Sequence, residues 1–519
     1  MKKRILMLGA GVMQGVAIAC AKEKGWEVVA CDGNPDAPCR KAAHRFAPID
    51  LKDVGALTSF AKELQANGGL DGVFTAATDF SASVAAVARS CGLPGHSLEA
   101  ALNASDKTRM RACFAKAGVP SPKYIVVDDP APAICASLMK QAEIGYPVVV
   151  KPVDNMGARG CRKVDSETSL SSALSSALRF SRSGTAIVEE FMEGPEFSIE
   201  GLFFDDSLHL TGLADRHIRF SPYFIEMGHT IPSSFPAETQ EALVRVFEAG
   251  VRSLGLSHGA VKGDIKLTPL GPMVGEIAGR LSGGYMSGWT FPYSSGIDLT
   301  GAALDLCAGS RPDSLVPAID MVCAERAWIS IPGTASVVSG LQKARTIPFV
   351  RDILPRIEEG ASLVFPTNNV EKCGNCLAVA PDRLSASSAA EEACRTVFIR
   401  LEPGNPETDA FLSVAPGCEP RFPPDAFTLS QDSYPLSFDQ PVLYSNVYMP
   451  KALFSRKDSA TDWHGSTAAG ALSKALSIAP GLSELLSVPS HPLYQPCWLA
   501  FLRGGAQGLV YVYDANASS

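Results

Sequence analysis

Two carboxylate-bearing residues stand in apolar segments near the middle of the chain. Asp264 lies in the alternating segment 260–267, Glu276 lies in the segment 273–277, and a Pro/Gly-rich turn separates the two. Alternation on both sides of such a turn predicts a β-hairpin. A charge in an apolar strand costs free energy unless another group compensates it, and two carboxylates on neighbouring strands suit Mg²⁺ together with substrate phosphates. The alternative is a surface hairpin with ordinary charges.

Basic residues that suit a phosphate precede and follow this hairpin. Arg280 comes four residues after Glu276 and is followed by the pair Gly283-Gly284. A guanidinium there could hold a phosphate or a developing oxyanion. Lys107 lies near the start of a cationic helix, for which a serine N-cap and a terminating glycine predict the range 105–118. For any one of these bases, the alternative is a solvated helix face.

A second lysine ends an apolar segment just ahead of a glycine-bearing loop. Residues 146–152 predict a strand that ends near Lys151, and the loop that follows contains Gly157 and Gly160. This order is typical of a strand lysine that reaches phosphates beneath a flexible lid whose backbone N–H groups cover them. The sequence therefore predicts a small α/β module that handles a nucleotide.

An acidic run follows the next predicted strand, residues 186–188. It contains Glu189, Glu190, Met192 and Glu196. An extended backbone offers donors and acceptors to a purine edge, and one carboxylate can accept ribose hydroxyls. Taken alone, however, such a run is more typical of a solvated turn.

The elements that position these residues follow an N-terminal region of alternating strands and helices. Segments that predict strands lie at 5–8, 27–31 and 72–76, and helices are predicted from the glycine turn through Lys24 and at 81–91. This pattern predicts a βαβ arrangement with a parallel sheet. The glycine turn at 9–15 has the spacing GxGxxxG instead of GxGxxG. It therefore favours a Rossmann-like domain without nicotinamide over NAD(P) binding, in which Asp32 would be the ribose ligand.

Composition limits the classes of function. The chain has 519 residues and a net charge of −8, which argues against nucleic acid as the main partner. Fourteen cysteines without regular spacing predict reduced thiols in the cytosol. The lone pair Cys373 and Cys376 favours a turn between strands over a zinc or redox site. The basic start and apolar run to Cys20 imitate a lipoprotein signal, but the intervening glycines favour a buried strand and a helix. No run is long enough to predict a membrane span.

These motifs occur in the order found in the ATP-grasp ligases, which the chain resembles over residues 1 to about 412. The resemblance implies an α/β ATP-grasp fold with four regions. They are an N-terminal Rossmann-like (pre-ATP-grasp) domain at 1–100, a linker and small lid subdomain at 101–195, a catalytic subdomain with a large antiparallel sheet and a biotin-carboxylase-like region at 196–412, and a C-terminal α+β appendage of unknown role at 413–519.

The resemblance also implies a role for each motif residue. ATP would lie between the small module and the hairpin domain, with Mg²⁺, or Mn²⁺ in its place, on Asp264 and Glu276. Lys107 and Lys151 would hold the phosphates beneath the lid glycines. The groups that would meet adenine and ribose are the backbone near Glu189, Glu190 and Met192, and the side chain of Glu196.

One departure from the family pattern concerns the metal site. Most ATP-grasp enzymes carry an asparagine two residues after the second metal carboxylate, and this chain has Ala278 there. The segment from Glu276 to Arg280 nevertheless resembles the E-x-A-x-R pattern of bacterial L-amino-acid (dipeptide) ligases. These ligases also carry an upstream E-x-x-H, which matches Glu226 and His229. The resemblance implies that the latter two lie on the substrate side and that Arg280 stabilises an acyl phosphate.

The resemblance implies a cytosolic ligase that joins a small carboxylate to a small amine, without nucleic acid or membrane partners. It would form an amide or peptide bond through an acyl phosphate and release ADP and phosphate, and a homodimer is the family-level expectation. The alternatives are an ATP-grasp enzyme that activates bicarbonate or formate, and a non-catalytic nucleotide-binding module, for which Ala278 is the reason. After a Pro-rich linker at 413–433, the sequence predicts strands at 441–448 and 508–513 and a helix near 467–478.

Overall fold

The computed structural model describes residues 2–517, in which helices and strands alternate along the chain. The strands are β1 (Arg4–Leu8), β2 (Glu27–Cys31), β3 (Arg45–Ala47), β4 (Gly72–Phe74), β5 (Tyr124–Val127), β6 (Val148–Pro152), β7 (Arg162–Val164), β8 (Ala186–Glu190), β9 (Glu196–Phe204), β10 (Ser207–Arg219), β11 (Ile225–Ile231), β12 (Gly259–Thr268), β13 (Gly271–Ala278), β14 (Val322–Trp328), β15 (Gly333–Ser339), β16 (Val350–Pro355), β17 (Ser362–Leu363), β18 (Gly374–Ala380), β19 (Phe398–Leu401), β20 (Val442–Tyr444) and β21 (Val447–Met449).

The α-helices pack on the faces of these sheets or follow them in the chain. They are α1 (Val12–Glu23), α2 (Val54–Ala66), α3 (Ser81–Cys91), α4 (Leu98–Ser105), α5 (Lys107–Ala117), α6 (Pro132–Gln141), α7 (Glu167–Phe180), α8 (Ala237–Ser253), α9 (Phe291–Ser295), α10 (Leu299–Cys307), α11 (Leu341–Arg345), α12 (Arg383–Thr396), α13 (Pro406–Ser413), α14 (Lys451–Phe454), α15 (Ala468–Ile478), α16 (Leu482–Leu486) and α17 (Tyr494–Ala517).

The chain divides into two units. The first contains residues 1–218, 229–324 and 379–383, and the second contains residues 219–228, 325–378 and 384–519.

A parallel sheet of order β3-β2-β1-β4 opens the first unit. Its central strands are buried because Ile5 to Leu8 and Val28 to Cys31 are apolar on both faces. This confirms the predicted βαβ arrangement. The carboxylate of Asp32 accepts hydrogen bonds from the backbone N–H groups of Ala10 and Asn34, which assigns that side chain to the glycine turn.

A small module of the first unit supplies the predicted lysine and lid. Its antiparallel sheet has the order β5-β8-β6-β7, and helices α6 and α7 pack against it. Leu170, Ala173, Leu174 and Ala177 lie on one face of α7 and bury that face against the sheet, because they recur at helical spacing.

The larger sheet of the first unit contains the predicted hairpin. Strands β13, β12, β9 and β10 are neighbours in that order, and each pair is antiparallel. Phe247 and Val251 of α8 pack on the buried side of the sheet with Ile265 and Ile277. The hairpin is confirmed, with the turn shortened to Pro269-Leu270. The mixed α/β fold with several antiparallel sheets is the expected ATP-grasp class.

The second unit combines small antiparallel sheets with the C-terminal helices. Strand β18 pairs with β16, β15 lies between β17 and β19, and β20 pairs with β21. The predicted helix near 467–478 is confirmed as α15. The predicted strand at 508–513 is wrong, because these residues belong to α17, whose residues Leu509, Val510 and Tyr511 are buried.

One prediction concerned the pair Cys373 and Cys376. Cys373 and Cys376 are buried at the start of β18 and within it, so the predicted turn between strands is wrong. Their separation of three residues places them on opposite faces of an extended segment, because successive strand side chains alternate.

Among residues 2–517, no helix has both the length and the apolar character needed to cross a membrane.

Candidate active site

The two hairpin carboxylates lie side by side. Asp264 of β12 and Glu276 of β13 are direct cross-strand partners, so both side chains project from one face of the sheet. The hydroxyl of Ser198 on β9 donates to Asp264 Oδ1 at 2.8 Å. Burial opposes the charge of Glu276, but Lys107 and Lys262 outweigh it and lower the pKa of Glu276 to about 2. Both carboxylates are therefore ionised at neutral pH, since Arg216 and Lys262 likewise lower the pKa of Asp264 against the effect of burial.

Lys107 reaches this pair from the start of α5. Its ammonium lies 3.4 Å from Glu276 Oε1 and donates to the carbonyl of Asn155 at 2.9 Å. Burial opposes its charge, but Glu276, Asp79 and Glu189 raise the pKa of Lys107 overall. The predicted N-cap at Ser105 is wrong. Asp106 caps α5 by accepting from the backbone of residues 108 and 109, and Ser105 ends the preceding helix.

Lys151 is held by the side chain of Glu189, a residue whose backbone was predicted to meet adenine. Its ammonium lies 2.6 Å from Glu189 Oε2, and Arg111 Nε donates to Glu189 Oε1 at 2.8 Å. Burial opposes the charge of Glu189, but Arg111 and Lys151 lower the pKa of Glu189. The side chain of Glu189 thus orients a lysine, and only its backbone stays a prediction for adenine.

The rest of the acidic run forms the strand end that we expect to meet the nucleoside. The backbone N–H of Glu190 donates to the carbonyl of Lys123, and Glu190 Oε2 accepts from the N–H of Lys123. The carbonyl of Met192 accepts from Lys266 Nζ at 3.1 Å. Glu196 is paired with Arg216 and lies 3.7 Å from Lys266. These cations have to share Glu196 with any ribose hydroxyl it binds.

The lid is a turn-rich loop between β6 and β7. Gly157 and Gly160 have φ values of 67° and 68°, which L-residues rarely adopt. A Cβ on Gly157 would approach only Arg159 within 4 Å, whereas one on Gly160 would lie 3.0 Å from Phe180. Asn155 ties the base of the loop by donating to the carbonyl of Phe180 at 2.7 Å. Gly157 therefore leaves its side of the loop open, as a lid over phosphates requires.

A lysine occupies the position opposite the unusual alanine. Lys262 of β12 is the cross-strand partner of Ala278, and its ammonium lies 2.5 Å from Asp264 Oδ2. Alternation places Lys262 and Asp264 on the same face of β12. Arg216 also reaches Asp264 Oδ2 at 3.0 Å. The family pattern described above has an asparagine at the position of Ala278, and this chain has the small Ala278 there with the ammonium of Lys262 nearby.

Arg280 lies beside a carboxylate from the N-terminal domain. Ala77 donates its N–H to the carbonyl of Leu281, which joins the loop after β4 to the segment after β13. Burial raises the pKa of Asp79 in this loop, while Arg280 and Lys107 oppose that shift. Arg280 Nη1 donates to the carbonyl of Leu281 at 3.1 Å, and its buried Nε has no hydrogen-bond partner among the described residues.

The second unit contains the first of the two predicted substrate-side residues. Glu226 is buried on β11, and its carboxylate lies within 4.8 Å of that of Glu325, which is fully buried on β14. Asn375 donates its amide to Glu325, and Lys372 Nζ donates to the carbonyl of Glu226 at 2.8 Å. Two buried carboxylates this close suit an ammonium group or a cation. His229, buried further along β11, lies in the first unit.

Several residues near the predicted site were not identified from the sequence. Arg111 and Lys262 look like ordinary charges in a helix and a strand, and Glu325 follows no motif. The only available signal was periodicity: Arg111 lies one helical turn after Lys107, and Lys262 lies two residues before Asp264. Their partners come from distant segments, which one sequence does not reveal.

The carboxylates and lysines of this site suit Mg²⁺ and the phosphates of a nucleotide. Ionised carboxylates on adjacent strands are oxygen ligands of the kind that Mg²⁺ prefers, and Asp264 and Glu276 could hold one such ion. Lys107 and Lys151 could hold phosphate oxygens, because each ammonium retains donors beyond its present partner.

Two stretches of the chain match known protein families. Residues 144–288 match the ATP-grasp domain, and residues 327–402 match the L-amino acid ligase C-terminal domain 2. Uncharacterized protein y4rH of Sinorhizobium fredii is 28% identical over 373 residues, which are 70% of this chain and 75% of that protein. Carnosine synthase 1 of Gallus gallus is 29% identical over 204 residues, which are 37% of this chain and only 22% of that protein.

Solved structures share the fold. The L-amino acid ligase from Bacillus licheniformis has a TM-score of 0.67 at 20% identity, covering 77% of this chain and 99% of that one. Biotin carboxylase from Campylobacter jejuni has a TM-score of 0.58 at 20% identity, covering 77% and 92%. Residues 144–288 therefore match an ATP-grasp domain, and the chain is similar to ATP-dependent ligases of that family.

Proposed function

We propose that the chain is a carboxylate–amine ligase that uses ATP to form an amide or peptide bond through an acyl phosphate. The observation that carries the proposal is the cross-strand pair Asp264 and Glu276, ionised and neutralised by Lys107. The match of residues 327–402 to a domain of L-amino acid ligases supports amino acids as the substrate class.

The reaction requires charge neutralisation more than covalent catalysis. A substrate carboxylate attacks the γ-phosphorus of ATP, and the bond from that phosphorus to the ADP oxygen breaks. Lys107 and Lys151 hold phosphate oxygens during this transfer, and Arg280 stabilises the acyl phosphate. Mg²⁺ on Asp264 and Glu276 would neutralise charge on the phosphates. The amine nitrogen then attacks the acyl carbon, and inorganic phosphate leaves.

Glu226 is the predicted substrate-side residue of the second unit. Its carboxylate and that of Glu325, both buried, offer charged acceptors to the ammonium of an amino acid. His229 stays a predicted substrate-side residue. This assignment makes α-amino acids better substrates than simple carboxylic acids without an amino group.

The experiment is a phosphate-release screen with Mg-ATP over pairs of amino acids and small carboxylates. We expect release only when a carboxylate and an amine are both present, with a coupled product of matching mass. Release with bicarbonate or formate alone would replace the proposal with activation of those acids. Absence of release with every pair would refute ligase activity.

One observation favours a second candidate, a nucleotide-binding module without turnover. Ala278 removes the usual amide ligand, and Lys262 occupies an oxygen of Asp264. This candidate predicts tight ATP binding by calorimetry without ADP formation, and Glu276→Ala would then change affinity alone.

A further inference from the structure

A cavity in the second unit lies outside the constellation described above. It has a volume of about 570 Å³, which includes space open to solvent. Residues of the region matched to L-amino acid ligases and residues of the C-terminal appendage both line it. Those that carry its chemistry are Trp328, Arg395, Trp463, His464, Lys474 and Gly505.

Two cations line this cavity. Lys474 Nζ donates to the carbonyl of Arg395 and, at 2.9 Å, to that of Val397. An ammonium has three N–H donors, so one donor remains for a ligand. Arg395 lies beside Gly465, and its only described carboxylate partner, Glu391, is 3.9 Å away. A pair this long neutralises the guanidinium only in part.

Two buried donors also line the cavity without acceptors. Trp463 is 7% exposed and Trp328 is 1% exposed, and neither indole N–H has a hydrogen-bond partner among the described residues. A buried donor left unsatisfied costs about 1–3 kcal/mol. A ligand with acceptor oxygens would remove that cost.

An interruption of the last helix, α17, lies beside the cavity. Gly505 has φ 62° and ψ −152°, which interrupts α17 and starts a new helical segment at Ala506. Residues 504–507 line the cavity. The first N–H groups of a helix lack partners within it and carry partial positive charge. The segment Ala506–Ala517 therefore begins beside the cavity.

The remaining polar groups oppose this preference only in part, since Asp462 is the carboxylate whose charge acts on Lys474. His464 Nε2 accepts from the N–H of Ile329 at 3.1 Å, and burial lowers the pKa of His464 to about 4, so its ring is neutral. Asp462 is the one carboxylate of the described lining. Its Oδ1 accepts from the backbone N–H groups of His464 and Ser466, which hold its loop.

We propose that this cavity is a second small-molecule site, which binds the carboxylate or phosphate group of a small metabolite through Lys474, Arg395 and the indole N–H of Trp463. Carboxylate and phosphate oxygens offer the same acceptors to these donors. The proposal is independent of the reaction proposed for the first unit.

The indole N–H groups provide a site-specific test. The full-length protein, labelled with ¹⁵N on tryptophan, is titrated with inorganic phosphate in one series and with succinate in another. Saturating Mg-ADP is present throughout, so that anions do not report on the nucleotide site. Trp463→Phe assigns one resonance while keeping an aromatic ring. We expect a saturable shift of the Trp463 resonance, and the anion that binds more tightly identifies the group.

Two arginine variants decide whether the cavity is responsible. Arg395→Gln should weaken binding about tenfold, equivalent to about 1.4 kcal/mol, whereas Arg345→Gln, at an exposed arginine of the same unit, should leave it unchanged. Arg395 is partly exposed, so its variant should fold. The proposal is overturned if neither anion shifts the Trp463 resonance, or if both variants bind alike.

Discussion

At the scale of single residues, the charged groups of the first unit are held in pairs. Lys107 faces Glu276, Lys151 faces Glu189, and Lys262 faces Asp264. Such pairs keep lysines charged and ordered in a partly buried place, since a lone buried charge is unfavourable. A nucleotide can then meet cations that are already positioned, and this lowers the cost of organising the site.

Removal of Lys151 tests this idea directly. We expect Lys151→Ala to lower kcat by about 100- to 1,000-fold, because it removes one donor at the transferring phosphate. Steady-state phosphate release with the best substrate pair measures the effect. Lys140→Ala, at an exposed lysine of the same module, is the control and should keep full activity. A Lys151→Ala enzyme with near-normal kcat would remove the phosphate role from this lysine.

Lys262 allows a test that does not depend on turnover. Its ammonium lies 2.5 Å from Asp264 Oδ2 and would compete with a divalent ion for that oxygen. We expect Lys262→Ala to tighten Mn²⁺ binding about tenfold without nucleotide, about 1.4 kcal/mol, as measured by electron paramagnetic resonance. Lys266→Ala, on the same strand but beside Glu196, should leave Mn²⁺ binding unchanged. Equal or weaker Mn²⁺ binding in Lys262→Ala would show that the lysine does not compete.

At the scale of elements, helix α5 positions two of the cations. Lys107 starts the helix and Arg111 follows one turn later, where it reaches Glu189 and the carbonyl of Gly275. The helix is fixed at its start by Asp106, whose carboxylate accepts from the backbone at 2.7 and 3.1 Å. The orientation of both cations therefore depends on one cap.

The cap can be tested with adjacent substitutions. Asp106→Ala should lower the free energy of unfolding by about 1 kcal/mol and weaken ATP binding, because the first turn of α5 loses its acceptor. Ser105→Ala is the matched control, since Ser105 ends the preceding helix. Chemical denaturation and calorimetry with ATP measure the two effects. Equal losses in both variants would contradict the assignment of Asp106 as the cap.

Local patterns predicted the hairpin, the parallel sheet and α15, because strand alternation and turn residues are recorded within a few positions of the sequence. They failed where tertiary packing decides. Residues 510–513 alternate valine and tyrosine and are typical of a strand, yet burial of Leu509 and Val510 stabilises a helix there. Glu189 looked like part of a nucleotide-binding run, and only the position of Arg111, from a distant helix, shows its second role.

At the scale of the whole molecule, acid should remove the stabilisation that the paired carboxylates supply. The pKa of Glu276 is about 2 in the folded protein, below its ordinary value of 4.5. The stabilisation from this group is thus complete above pH 4.5 and is lost as the pH falls toward 2. We expect the melting temperature of Glu276→Gln to fall less between pH 4.5 and 2.5 than that of the unmodified protein. Glu241→Gln, at an exposed pair, should follow the unmodified protein.

The appendage after residue 413 shares a core with the region before it. Trp498 and Phe501 of α17 are fully buried, and Arg400 pairs with Asp514 at the other end of that helix. The backbone N–H of Ile331 donates to Gln507 at 3.1 Å. Residues 413–519 are therefore a structural part of the second unit, and their loss should leave apolar surface and backbone donors of that unit exposed.

Truncation tests this dependence. We expect a chain that ends at residue 412 to aggregate or to melt at least about 10 °C lower, because it loses the buried face of α17 and the Arg400 pair. A chain that ends at residue 515 keeps Asp514 and removes only exposed residues of those described, so it should melt like the full chain. Scanning fluorimetry and size-exclusion chromatography compare the three. If the chain ending at 412 stays monodisperse with an unchanged melting temperature, the appendage does not share a core with the rest of its unit.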